Sequence, residues 1–379
     1  MSTKKIIIIG QKTSAFLTAA ALSRSGHDVT VINSGSQSDT SSFAENLLEV
    51  ESPRSEAALF EAVAWLENQF QTQIQTLEVD QSPAALSNQQ VQTFLGFGEA
   101  EYKTISPLSA FNHSSTLRFK PHLSQVVNRL LSEKNFNVID FSEVTAINDL
   151  DQKIQSITIN GQQTLEADFF IFTDHPKELF QFLPADTMTS KIKNRIAKSP
   201  SWTEIKLMFK HEKPLFMPDH TLFVLPPSIR NEPFVGQFQI LEQENSSNCY
   251  SVWQGYVDSA LAEQPEAISA HLKFIKKSLQ KHFESSQDFN KELQISINPN
   301  GFSELAWSTE GFGFEDDLKN FFVASPLQAS DTGLSACVMA AFRACQFVNS
   351  NLTTLSDSEA RVAPSILSSS EVAEPTASC

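Results

Sequence analysis

Polar and apolar positions change period twice within the first 33 residues. Residues 4–9, KKIIII, end in four consecutive isoleucines, the pattern of a short strand buried on both faces of a parallel sheet. Residues 14–25 are rich in Ala and Leu at helical spacing and stop before Gly26. Residues 27–33 return to strand character with VTVIN. Strand, helix and strand in this order predict a βαβ unit.

Downstream, residues 56–72 place Leu59, Ala62, Val63, Leu66 and Phe70 on one helical face. Residues 73–115 are polar and broken by Pro83 and Pro107, which predicts irregular structure. A second amphipathic helix follows over 121–134, with Leu123, Val126, Val127, Leu130 and Leu131 inward. Short strands are expected at 136–139, 144–148, 153–159 and 168–173, with Asn160–Gly161 as a hairpin turn. FFIFT at 169–173 is nearly all apolar and marks a return to the buried sheet. Residues 200–256 alternate as strands around KLMFK, TLFVLP, GQFQI and YSVWQGYV. A helix over 265–283 turns Ile268, Leu272, Ile275, Leu279 and Phe283 inward, and a strand at 320–325 precedes a last helix at 332–348. From 353 to 379 the chain is Ser, Ala, Glu and Pro without period, which predicts a disordered tail.

Composition narrows the function. A formal net charge of −16 argues against a nucleic-acid partner, whose phosphates need Lys and Arg. Cys249, Cys337, Cys345 and Cys379 lack CxxC spacing, and the eight histidines lack metal-ligand spacing, so no metal site is expected. No apolar run approaches the roughly 20 residues of a transmembrane helix, and the N-terminus does not read as a secretory signal. The expectation is therefore a cytoplasmic protein without a membrane span. Thirty phenylalanines against three tyrosines give an apolar aromatic set. The 12 glycines in 379 residues fall well below the usual share of about 7%.

Three stretches carry a family resemblance. The opening βαβ unit is one. The second is 122–174, from HLSQVVNRLL through the hairpin to EADFFIFTD. The third is 318–348, LKNFFVASPLQASDTGLSACVMAAFRACQFV. Their order resembles the flavoprotein superfamily of amine oxidases, protoporphyrinogen oxidases and phytoene desaturases, whose scaffold is shared by Rab GDP-dissociation inhibitors. The opening run also resembles flavin-dependent tryptophan halogenases, while the closing segment fits the amine-oxidase type better. The resemblance implies an α/β fold in which a Rossmann-like FAD/NAD(P)-binding domain is interleaved with a β-rich (α+β) substrate domain. The first would comprise 1–55, 116–187 and 300–352, and the second 56–115 and 188–299.

The cofactor positions depart from the pattern. A dinucleotide fingerprint uses three glycines for a tight turn, for close approach of the pyrophosphate and for helix packing. Here these are Gly10, Lys12 and Ala15, and Lys12 puts a long side chain where phosphate should meet backbone. Asn33 stands where an acidic residue takes the ribose hydroxyls. Ser325 and Pro326 replace the Gly-Asp pair expected beside the flavin, and Gly333 and the small residues after it keep the expected character. Trp307 matches a tryptophan near the active site of related oxidases, although Ala306 replaces the arginine beside it.

No catalytic residue stands out. Asp168 reads as a strand cap, Asp174 as the start of a turn and His175 as a loop histidine with acid–base capacity. Lys273, Lys276, Lys277 and Lys281 form a basic, solvated face with docking potential. Two functions follow. The first is a non-catalytic binding or accessory protein with an eroded flavin site, no cofactor, and a hydrophobic ligand or protein partner. The second is a divergent FAD-dependent oxidoreductase acting on an amine, isoprenoid or porphyrin-like substrate.

Overall fold

The computed structural model describes residues 3–11, 13–35, 56–79, 84–87, 90–93, 116–121, 123–133, 135–183, 189–213, 215, 221–224, 234–243, 246–283, 292–303, 318–326 and 333–362. The chain opens with β1 (Lys5–Ile9), α1 (Thr13–Arg24) and β2 (Asp28–Ile32). Then come α2 (Glu56–Phe70), β3 (Gln75–Val79), β4 (Ala84–Ser87), β5 (Gln90–Thr93) and β6 (Thr116–Lys120). Next are α3 (Leu123–Ser132), β7 (Asn137–Ile139), β8 (Val144–Leu150), β9 (Lys153–Ile159), β10 (Gln163–Glu166) and β11 (Phe169–Phe172). A 3-10 turn (Pro176–Gln181) leads to α4 (Ser190–Lys198), β12 (Ser201–His211), β13 (Thr221–Val224), β14 (Phe234–Gln243) and β15 (Ser246–Asp258). The remainder is α5 (Ser259–Ala262), α6 (Pro265–His282), β16 (Glu292–Ser303), β17 (Phe321–Val323) and α7 (Gly333–Val362).

The central sheet is parallel, in the order β17-β11-β1-β2-β7. Its β-branched isoleucines divide by the period of two. Ile6 and Ile8 enter the core made with α1 and α7. Ile7 and Ile9 enter a second core, with Ile154, Ile157 and Ile159 of the β10-β9-β8 sheet. A face of helices and a face of strands thus cover the parallel sheet, which explains the unbroken apolar runs of β1 and β11.

Asn320 ties these layers together. Its carboxamide donates to the carbonyls of Ile154 (2.8 Å) and Asp168 (3.2 Å) and accepts from the Ile154 N–H (2.8 Å), while the side chain is buried. Replacement by leucine takes these partners from the buried Ile154 N–H and C=O. The Asn320→Leu variant is expected to lose about 2 kcal/mol of stability in urea unfolding with no change in slope.

A seven-stranded sheet, β16-β12-β15-β14-β13-β4-β5, is built from residues 84–93 and 201–303. Helix α6 covers one of its faces, where Ile275 and Leu279 pack with Leu207, Phe209 and Trp253.

Several elements differ from the sequence expectations. The segment 73–115 contains β3, β4 and β5, and β3 pairs with β6. Every residue of β5 is exposed, so pairing with β4 rather than hydrophobicity defines it. Helix α4 has no extended apolar face; Ile196 anchors it and the Thr189 hydroxyl caps it by accepting from Ile192 N–H (3.3 Å). In β16, Pro299 and Gly301 hide the strand period, and the strand lies at a sheet edge with a bulge, where proline is tolerated. Helix α7 runs to Val362, past residue 353 where the tail was expected to begin. Positions 363–379 lie outside the described residues.

Candidate functional site

Parallel strands present their carboxyl ends along one edge, and ligands of open α/β sheets bind in the crevice there. In this chain that edge gathers Gly10 and Gln11 after β1, Asn33 after β2, Asp140 after β7, Thr173 and Asp174 after β11, and Ser325 after β17.

Gly10 is required by close approach. A Cβ there would lie 2.0 Å from Thr173 Oγ1 and 3.3 Å from the Ala15 methyl. The Thr173 hydroxyl donates to the Ile9 carbonyl (3.3 Å), which fixes β11 against the turn. Ala15 is fully buried at the contact, so it fulfils the packing task of a third glycine.

Helix α1 begins immediately after this turn. The first turn of any helix leaves backbone N–H groups unpaired and carries the positive end of the dipole. Thr13 and Ser14 sit on it, 1% and 0% exposed, and Thr13 Oγ1 and Ser14 Oγ have no hydrogen-bond partner among the described residues. Buried hydroxyls without a hydrogen-bond partner are uncommon in folded proteins. Of the positions expected from the sequence at this edge, Gly10, Lys12, Ala15 and Asn33, none is Thr13 or Ser14, although two hydroxyl residues stand directly before Ala15.

A carboxylate faces the same turn. Asp174 Oδ1 accepts from the Gln11 N–H (3.2 Å), a donor that a bound anion would otherwise take. Gln11 Oε1 in turn accepts from the Ser34 hydroxyl (3.1 Å), lacing the β1 and β2 loops together.

Asn33 is 1% exposed and committed within the protein. Its amide donates to Asp140 Oδ1 (2.7 Å), and its Oδ1 accepts from the Gly35 N–H (3.1 Å). The acidic group at this corner is therefore Asp140, one strand over from the position the fingerprint uses. Ser325 is buried at the end of β17 and Gly333 opens α7. Lys12 and Trp307 lie outside the described residues.

The other singled-out residues have local roles. Asp168 caps the strand entrance, accepting from the Lys5 N–H (2.8 Å) and pairing with Lys4 (3.4 Å). His175 Nδ1 accepts from the Lys177 N–H (3.1 Å), capping the 3-10 turn. Among the described residues Cys249, Cys337 and Cys345 are buried and in no disulfide, and burial pushes the Cys345 thiol up to about 12. Among the described residues no His, Cys, Asp and Glu cluster could hold a metal, and no helix is long and apolar enough to cross a membrane.

No protein-family model matches the sequence, and no curated protein matches it. Solved structures do match. An oxidoreductase from Methanosarcina mazei aligns over 90% of this chain and 100% of its own, with a TM-score of 0.61 and 11% identity. A protein of Pyrococcus furiosus aligns over 91% of this chain and 97% of its own, at 0.54 and 12%. A putrescine oxidase aligns over 92% and 99%, at 0.53 and 11%. These likenesses establish a fold: mixed helix and strand around a parallel sheet, as in the FAD-dependent oxidoreductases that the sequence resembles.

Proposed function

We propose that this chain is a divergent FAD-dependent oxidoreductase, with the flavin dinucleotide held at the carboxyl edge of the parallel sheet. The pair of orphan hydroxyls on the first turn of α1 carries the proposal, since an empty cofactor scaffold has no reason to keep buried, unpaired oxygens there. The fold it shares with oxidoreductases supports the same reading over a non-catalytic one. We take residues 1–55, 116–187 and 300–352 as the cofactor domain and 56–115 and 188–299 as the substrate domain.

The residues present fit the phosphate end of the group. Thr13 and Ser14 hydroxyls and the first N–H groups of α1 donate to it, in the field of the helix dipole. Gly10 and Ala15 let the helix start close to the sheet. At the ribose corner Asp140 supplies the carboxylate, and Asn33 orients it through the 2.7 Å bond. When bound, flavin supplies hydride and electron transfer; the protein contributes position and electrostatics.

Flavin titration followed by fluorescence quenching tests this. The double variant T13V/S14A is expected to weaken FAD binding at least tenfold, because each hydroxyl-to-phosphate bond is worth about 1.5 kcal/mol or more. Its melting temperature without ligand should not fall, since neither hydroxyl has a partner among the described residues. Unchanged affinity in the variant would remove α1 from the site.

A further inference from the structure

The face of the seven-stranded sheet turned away from α6 carries a polar cluster that the flavin site does not use. Strand alternation sends Leu207 and Phe209 of β12 toward α6, and sends Trp202, Glu204 and Lys206 to the opposite face. Tyr256 and Gln254 of β15 stand directly across from Glu204 and Lys206.

The described partners of Glu204 all meet the same oxygen. Gln254 Nε2 (2.9 Å), Lys206 Nζ (3.3 Å) and the Tyr256 hydroxyl (3.5 Å) all donate to Oε1. Burial and the Glu204 carboxylate together hold the Tyr256 phenol well above its ordinary value, so Tyr256 stays a donor. Glu204 Oε2 has no partner among the described residues, although the residue is only 7% exposed. Two positions along the same strand face, Trp202 is 6% exposed and its indole N–H has no partner among the described residues.

One open acceptor and one orphan donor therefore share a largely buried strip. Their backbone positions are about 7 Å apart by the rise of a strand. A group with adjacent donor and acceptor atoms can engage both where the two side chains converge over the strand face, with two hydrogen bonds of ~2.9 Å each. The Lys206 ammonium already balances the Glu204 carboxylate, so local charge complementarity favours a neutral group over a cation.

We propose that Glu204 Oε2 and Trp202 Nε1 form a binding subsite for a neutral N–H/C=O group of the lactam or amide type, with the ligand N–H on Glu204 and its carbonyl on Trp202. The subsite stands without the flavin reading. Taken together with it, the subsite makes a neutral amide-type compound the substrate class, and a failure of flavin binding leaves the following test intact.

The test follows the tryptophan indole resonances of the full chain by 1H–15N NMR, with Trp202 assigned through W202F. 2-Pyridone should shift the Trp202 signal saturably in the millimolar range. N-methyl-2-pyridone, which lacks the N–H, should shift it at least tenfold less effectively. In E204Q the three donors to Oε1 hold the amide oxygen, which turns the open position from acceptor into donor. 2-Pyridone binding should then fall at least tenfold, while the other indole signals report an intact fold. Equal response to both pyridones in the wild-type protein, no response to either, or stronger saturation by n-butylammonium would each overturn the proposal. The wild-type comparison decides even if E204Q does not fold.

Discussion

Replacing Asp174 by asparagine should tighten FAD binding about thirtyfold. The Gln11 N–H keeps an acceptor in Asp174→Asn, because the amide oxygen can take the place of Oδ1 at 3.2 Å. What disappears is a negative charge facing the turn where a phosphate would settle. Two like charges about 6 Å apart at an effective dielectric of ~20 repel by about 3 kcal/mol. Allowing for screening, about 2 kcal/mol should reach the measured affinity, which is some thirtyfold. Riboflavin, which has no phosphate, should bind both forms alike. Parallel titrations of FAD and riboflavin check this; equal FAD affinity in the two proteins would mean that no phosphate approaches α1.

The second large effect is on stability at acid pH. His271 packs from α6 against Gly255, where an added Cβ would lie 2.3 Å from its Nε2, and that nitrogen has no hydrogen-bond partner among the described residues. Burial lowers its pKa from 6.5 to about 4. The unfolded chain thus takes up the proton first as pH falls. Stability from the neutral imidazole is fully present above pH 6.5 and is lost between 6.5 and about 4. At 1.36 kcal/mol per pKa unit the loss is roughly 3 kcal/mol. His282, lowered by burial and by Lys281, and His27, lowered mainly by burial, shift in the same direction. The diagnostic quantity is therefore the difference between wild type and His271→Leu. Urea unfolding at pH 7 and pH 4.5 should show a much smaller acid loss in the variant; parallel losses would place the acid sensitivity elsewhere.

Legibility in the sequence followed the hydrophobic signal. The isoleucines of β1, the run FFIF of β11 and the stripe on α6 announced themselves because burial on both faces, or on one helical stripe, leaves a periodic trace. Elements held by pairing left little trace: β5 is wholly exposed, and β16 carries proline and glycine. The candidate site was legible only as a list of replaced fingerprint residues, Lys12, Asn33, Ser325 and Pro326 among them. That list could not show that the Asn33 side chain is turned inward to Asp140, 107 positions away. Nor could it show Asp174 against Gln11, 163 positions away, because such partners meet only through strand order. Thr13 and Ser14 were visible as letters, but their lack of partners is a property of the packed turn.

The central claim is that this edge of the sheet still binds a flavin dinucleotide. Calorimetric titration of the full chain with FAD, at neutral pH and low salt, tests it most directly. Saturable binding of one FAD per chain is expected, weakened in T13V/S14A and strengthened in D174N. Absence of heat and of fluorescence quenching at high micromolar FAD, in the wild-type protein and D174N alike, would contradict it.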